Sequence, residues 1–260
     1  MRLTALALAA AVPSALVAQD VSPAPGVLIA RAIAVMKAQE DRGWKYTYRE
    51  DRTESQIDKN GQSYSPVTKT YEHIMLEGEN YSKLVLVDGK PLDAKTQQKV
   101  DRDLANERAN RQKHRLTFHR EISLGDLDVL ERLFDNRVTG EETVLDRKSW
   151  RVESEPKPGY RPASKEEDQI LAARHINWFD EQEGARIRGL QTFIRAANGF
   201  QPGSTIQWDY LKSGDAWLPE TLTLRVDLKV MSVVHARGET TQRYYDYKRF
   251  TVESTLLPQN

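Results

Sequence analysis

Between Glu220 and Val234 apolar and polar residues take turns: Leu222, Leu224, Val226, Leu228 and Val230 are interleaved with Thr221, Thr223, Arg225, Asp227 and Lys229. Successive side chains on a strand point to opposite faces, so this pattern specifies a long β-strand with one face on a core and one in water. The same period returns in Trp44-Lys45-Tyr46-Thr47-Tyr48-Arg49, where aromatic residues alternate with polar ones. Further strand patterns run over 67–76, 81–87, 134–141, 142–155, 173–180, 186–194, 205–211 and 240–254. Turn chemistry separates several of them. Asn60-Gly61, Glu77-Gly78 and Asp88-Gly89 each supply a residue that tolerates the positive φ of a tight hairpin. Roughly ten strands joined mostly by short turns predict an antiparallel meander with one surface against a core.

Two stretches break the period. From Val27 to Glu40, VLIARAIAVMKAQE places apolar residues at 28, 29, 32, 33, 35 and 36, a helix with a broad apolar face suited to lie under a sheet. Residues 93–115 are rich in helix formers and charge, with a thin apolar stripe at Val100, Leu104 and Ala105, which predicts a solvated helix. Residues 124–134 read as a shorter amphipathic helix with Leu127, Leu130, Leu133 and Phe134 inward, so 93–134 forms a helical insert in the strand series. Residues 156–168 carry three Pro and a charge run, and read as loop. The expected fold is mainly β (α+β): a curled antiparallel sheet, or incomplete β-barrel, wrapped over an N-terminal helix with one or two further helices.

The N-terminal MRLTALALAAAVPSALVAQD has one basic residue, Arg2, then an apolar run, then small residues up to Ala18. That is the layout of a secretory signal, predicting export to the periplasm with 1–18 as signal peptide and 19–260 as a single domain. Pro13 interrupts the run well short of the ~20 apolar residues of a spanning helix. The absence of Cys rules out a thiol-linked lipid anchor, disulfides and thiolate metal sites. Lys plus Arg balances Asp plus Glu at 38 each, so no general basic field draws nucleic acid.

Three stretches of the C-terminal half bear on ancestry. His175-Ile176-Asn177-Trp178-Phe179-Asp180 followed by Gly184-Ala185-Arg186-Ile187-Arg188 is similar to a strand–Asp–turn–strand unit. Ser213-Gly214-Asp215-Ala216-Trp217-Leu218-Pro219 opens a long strand, and Tyr245-Asp246-Tyr247-Lys248-Arg249-Phe250 closes the series. With the export signal and the apolar first helix, these resemble the periplasmic lipoprotein-carrier (LolA-like) and outer-membrane lipoprotein-sorting superfamily. The resemblance implies an incomplete barrel closed on one side by helices, with acyl chains in its cavity. The charged helix at 93–115 is longer than a small carrier needs, and no Arg here is matched to the carrier's lid-locking arginine. A shared fold does not transfer a task.

A cavity for acyl chains needs apolar, concave walls, and the candidates are Trp44, Tyr46, Tyr48, Trp178, Trp208, Leu222, Leu224, Val226 and Leu228. The competing reading is that these residues fill a core against the first helix. Catalytic signatures are missing: there is no G-x-S-x-G, P-loop or G-x-G-x-x-G. His73, His114, His119, His175 and His235 fall in no zinc spacing, and Glu141-Glu142 and Glu166-Glu167-Asp168 read as solvated runs. The basic residues Arg102, Arg108, Arg111, Lys113, His114 and Arg115 could touch headgroups or an acidic partner, but Asp101, Asp103 and Glu107 interleave with them. The expectation is a non-catalytic periplasmic binder of lipid or lipid-modified protein, without cofactor or metal and with at most peripheral membrane contact. The alternatives are an envelope scaffold that binds another protein and, behind it, a hydrolase of unrecognised type.

Overall fold

The computed structural model describes residues 22–42, 45–113, 127–197, 199–230 and 234–250. The signal segment, Trp44, His114 and His119 lie outside the described residues. The described residues form four helices and eleven strands in the order α1 (Pro25–Asp41), β1 (Lys45–Ile57), β2 (Ser63–Leu76), β3 (Glu79–Val87), β4 (Lys90–Pro91), α2 (Ala94–Lys113), α3 (Leu127–Leu133), β5 (Phe134–Val144), β6 (Arg147–Pro156), α4 (Lys165–Ile170), β7 (Ala173–Asp180), β8 (Arg186–Phe193), β9 (Thr205–Ser213), β10 (Ala216–Val230) and β11 (Val234–Phe250).

All strands belong to one antiparallel sheet in the order β4-β3-β2-β1-β11-β10-β9-β8-β7-β6-β5. Every neighbouring pair is consecutive in the chain except β1 and β11, which pair from Lys45↔Phe250 to Gln56↔Gly238 and join the two ends of the chain in the middle of the sheet. The sheet does not close, because β4 and β5 are its two edges. This is the expected mainly-β architecture, a meander laid over an N-terminal helix.

Pro25 starts α1, where its missing N–H costs nothing. Leu28, Ile29 and Ala32 on that helix are fully buried against Leu127, Leu130 and Leu133 of α3 and against Phe134, Val152 and Phe179 of the sheet. The face of the sheet that carries α1 is termed the inner face below. Helix α2 has no buried residue. It lies on the other side of β3: Asp101 reaches Lys83 at 3.9 Å, and Arg111 stacks over Tyr81 at 5.8 Å. Asp93 caps it, accepting from the Thr96 N–H at 2.9 Å, and Arg111 donates to the carbonyls of Leu76 and Asn80 at 3.1 Å each.

Two expectations are corrected. The turn expected between Glu141 and Glu142 instead falls at Leu145-Asp146, which adopt φ of 51° and 59°, and Glu141 and Glu142 lie inside β5. The segment 156–168 is not loop throughout, since Ser164 accepts from the Glu167 N–H and starts α4. A three-acid first turn, Glu166-Glu167-Asp168, suits the positive end of a helix and had read only as a charge run.

Candidate functional site

One register row crosses the inner face and shows how its chemistry changes. It runs Val138, Val152, Asn177, Gly189, Trp208, Leu222, Gln242, Arg52, Lys69 and Val87. From β5 to β10 the row is mostly apolar; from β11 to β2 it is polar. Helix α1 packs mainly on β5 and β7 and reaches β10 through Gln39 at Trp217, so the main helix cover ends before the apolar part of the sheet does. On β10, Leu222, Leu224 and Val226 remain half-buried on this uncovered surface.

Trp208 marks the boundary. Its ring is buried and lies flat over Gly189, where a Cβ would stand 2.4 Å from Cε2 and 2.5 Å from Nε1. Only a residue without a side chain leaves room for the indole there. The Arg186 guanidinium sits over the same ring at 5.2 Å, and over the Tyr210 ring at 5.5 Å while donating to the Tyr210 hydroxyl at 3.2 Å. Trp208 Nε1 and Asn177 Nδ2 are buried donors with no hydrogen-bond partner among the described residues. Beside them, under the C-terminal half of α1, is a cavity of about 150 Å³ walled by Ala32, Val35, Met36, Ala185, Tyr210 and Trp217.

His175 neighbours this region on β7. Its ring meets Phe134 edge-on at 5.0 Å, and its Nε2 has no partner among the described residues. Burial, helped by the positive charge of Arg186, pushes its pKa down to about 4, so it is neutral at physiological pH.

The polar half of the inner face is built around a buried Glu50–His73 pair. Glu50 is 2% exposed; its carboxylate meets His73 Nε2 at 2.7 Å and accepts from Arg52 Nε at 2.8 Å. Burial pushes the Glu50 pKa up, but the bonds from His73 and Arg52 outweigh it and hold the carboxyl below its usual range. His73 Nδ1 lies 3.1 Å from the Ser82 hydroxyl and 3.2 Å from Asn80 Oδ1. Tyr48 stacks on the His73 ring at 4.2 Å, and Tyr244 and Tyr247 flank Tyr48 at 5.9 and 5.1 Å. Burial pushes the Tyr247 phenol up, and its hydroxyl donates to the Pro219 carbonyl at 2.6 Å.

The candidate residues from the sequence therefore divide. Trp208, Leu222, Leu224 and Val226 share the inner face and are contiguous. For Leu228 only the backbone, paired with Ala236, is described. Tyr46 and Tyr48 stand across β11 in the polar, aromatic half, with Tyr46 edge-on to Tyr247 at 6.1 Å. Trp178 alternates with Asn177 and Phe179, which face α1, and so points to the opposite side, where Nε1 donates to Glu142 at 2.9 Å and Arg151 stacks at 6.0 Å. It is not part of the inner surface. Arg186, Gly189, Tyr210 and the Glu50–His73 pair escaped sequence reasoning. Period two put Tyr48 and Glu50 on one face, but their partners depend on cross-strand register.

Among the described residues no cluster of His, Asp and Glu is arranged to hold a metal ion, and no helix is long and apolar enough to cross a membrane. No protein-family model matches the sequence. No curated protein matches it either. Solved structures similar to the chain include a DUF1329 family protein from Desulfovibrio piger, at 12% identity and a TM-score of 0.40 over 88% of this chain and 95% of that one. A LolA superfamily protein, NE2245 from Nitrosomonas europaea, is similar at 8% identity and a TM-score of 0.35 over 92% of this chain and 99% of that one. A putative outer membrane lipoprotein-sorting protein domain from Vibrio parahaemolyticus is similar at 10% identity and a TM-score of 0.35 over 87% and 95%. At such identities no ligand or activity is carried across.

Proposed function

We propose that this chain is an exported, periplasmic, non-catalytic binder of acyl chains, carried by a free lipid or by a lipid-modified protein, within a single domain from residue 19 onward. The observation that carries the reading is the apolar inner face beyond the helix cover, where Leu222, Leu224 and Val226 continue the surface of Trp208 half-buried. Each lipid methylene removed from water contributes about 0.8 kcal/mol, so a chain of moderate length binds such a surface without polar contacts. The signal-like N-terminus supports the location. Leu224→Glu places a carboxylate in the middle of the row. Titration of an environment-sensitive apolar fluorophore, competed off with dodecanoate, tests the proposal: the wild type should bind and release the probe, and the variant should not take it up. Equal uptake by both, or by neither, would defeat the reading.

A second reading has one observation in its favour. Ser82, His73 and Glu50 form a chain of hydroxyl, imidazole and carboxylate at 3.1 and 2.7 Å, the order of parts in a nucleophilic hydrolase. Asn80 competes for the same ring nitrogen, and Tyr48 lies over the ring. Ester turnover that disappears in Ser82→Ala would establish that reading in place of the first.

A further inference from the structure

Asn136 Oδ1, Ser154 Oγ, His175 Nε2, Asn177 Nδ2 and Trp208 Nε1 are buried polar atoms, and none has a hydrogen-bond partner among the described residues. Buried polar groups are nearly always bonded, so each of these needs a reason. They are not scattered. Asn136, Ser154 and His175 are successive members of one register row of the inner face, which continues through Gln191 and Ile206 to Leu224. Asn177 and Trp208 belong to the adjacent row, on either side of Gly189, and that row continues to Leu222. Together they make a polar seam across β5 to β9, and both of its rows run out onto the half-buried leucines of β10.

The seam has a chemical order. Asn177 Nδ2 and Trp208 Nε1 can only donate. The indole nitrogen lies 2.5 Å from the place of a Gly189 Cβ, and Cβ positions on directly opposed residues are about 4.5–5.5 Å apart, which brings both donors within reach of one acceptor oxygen. Towards β5 the balance reverses. Asn136 Nδ2 already donates to the Leu130 and Phe134 carbonyls at 2.9 and 3.2 Å, so only its oxygen is left, and the Ser154 hydroxyl can donate or accept. His175, next to Ser154, is neutral at physiological pH. A ligand that answers this seam needs an acceptor at one end and a donor at the other. A carboxylate offers acceptors alone, whereas an ester carbonyl followed by an alcohol hydroxyl offers both in the required order. Room adjoins it: Tyr210, two residues from Trp208 on the same face of β9, walls the cavity of about 150 Å³ under α1. With neighbouring strands about 4.8 Å apart, β7 stands about 14 Å from β10, a span that an acyl tail crosses over Trp208 and Ile206.

We infer that the ligand is an uncharged acylglycerol, its ester carbonyl bound by Asn177 and Trp208, its free hydroxyls by Ser154 and His175, and its tail along Leu222 and Leu224. The inference rests on the acyl-binding reading and adds the head group to it. Calorimetry on the full mature chain tests it by comparing monododecanoylglycerol with two analogues that each lack one part. Methyl dodecanoate keeps the carbonyl without the hydroxyls, and dodecyl glyceryl ether keeps the hydroxyls without the carbonyl. The intact glyceride should bind about tenfold or more tightly than either, because each analogue leaves buried polar groups unpaired. Asn177→Leu and Trp208→Phe should each lower the glyceride towards the ether while leaving the ether's own affinity in place. Ser154→Ala should lower it towards the methyl ester. If the three ligands bind the wild type alike, or the glyceride keeps its advantage in Asn177→Leu or in Ser154→Ala, the head-group assignment is wrong, while acyl binding stands provided Leu224→Glu abolishes uptake of all three. If none of the three binds, both readings fall together. Should a variant fail to fold, the wild-type ranking decides.

Discussion

Gly189→Ala adds a single methyl group and yet tests the organisation of the inner face. The backbone at 189 is not in the left-handed region, so alanine is conformationally admissible there. In a strand interior it is worth roughly 0.5–1 kcal/mol over glycine, because less chain entropy is lost on folding. Against this stands the indole of Trp208, whose Cε2, Nε1 and Cζ2 would lie 2.4, 2.5 and 2.6 Å from the new Cβ. Carbon atoms rest at about 3.5–4.0 Å, so the ring must move by more than an ångström. It is a rigid, buried ring under the Arg186 guanidinium, so it cannot give way as a flexible chain end would. Overpacking of this kind costs about 1–3 kcal/mol, which leaves a net destabilisation of about 1–2 kcal/mol. Urea unfolding followed by circular dichroism measures the loss, and tryptophan emission reports the displaced ring. Trp208→Leu in the Gly189→Ala background should recover most of the loss, as a coupled pair does. A Gly189→Ala protein as stable as the wild type, with unchanged emission, would refute the packing described here.

Acid should weaken the fold before its carboxylates are protonated. His175 has its pKa lowered to about 4, whereas an unfolded histidine titrates near ~6.5, so between these values the unfolded chain binds the extra proton and stability falls as pH falls. The loss is at most about 3 kcal/mol by pH 4, and His175→Gln should flatten that window in urea midpoints taken from pH 7 to pH 4. Glu50, held below its usual range, adds a loss of the same sign only at lower pH, as its carboxylate is protonated. Arg111→Ala removes the bonds to the Leu76, Glu79 and Asn80 carbonyls that hold the end of α2 to the β2–β3 hairpin. Because α2 buries no residue, cleavage within 94–113 by trypsin or a similar protease should speed up while the global unfolding midpoint barely moves. A large drop in that midpoint would show α2 to be integral to the core.

Where local chemistry decides structure, the sequence was legible. The alternation of Leu222, Leu224 and Val226 with Thr221, Thr223 and Arg225 gave β10, and Asn60-Gly61 and Asp88-Gly89 gave two hairpins with positive φ at both glycines. The turn at Leu145-Asp146 carries no glycine, so nothing announced it, and the adjacent Glu141-Glu142 was the more polar decoy. Faces were harder than strands. Trp178 and Trp208 look alike in a list of aromatic residues, but which side meets α1 is set by packing of Phe179 and Val152 on Leu28 and Ile29. The pairing of β1 with β11 joins residues near opposite ends of the chain, and a single sequence carries no local signal for it. Arg186 looked like any strand arginine until the rings of Trp208 and Tyr210 were brought to it from β9.

Acyl binding on the inner face is tested most directly by purifying the mature chain from the periplasm without detergent and recording its native mass, with solvent extraction of whatever accompanies it. The account predicts an adduct of fatty acid or other acyl lipid at near one per chain, absent from Leu224→Glu and from Trp208→Glu. A bare mass that stays bare after incubation with fatty acids and phospholipids would contradict it.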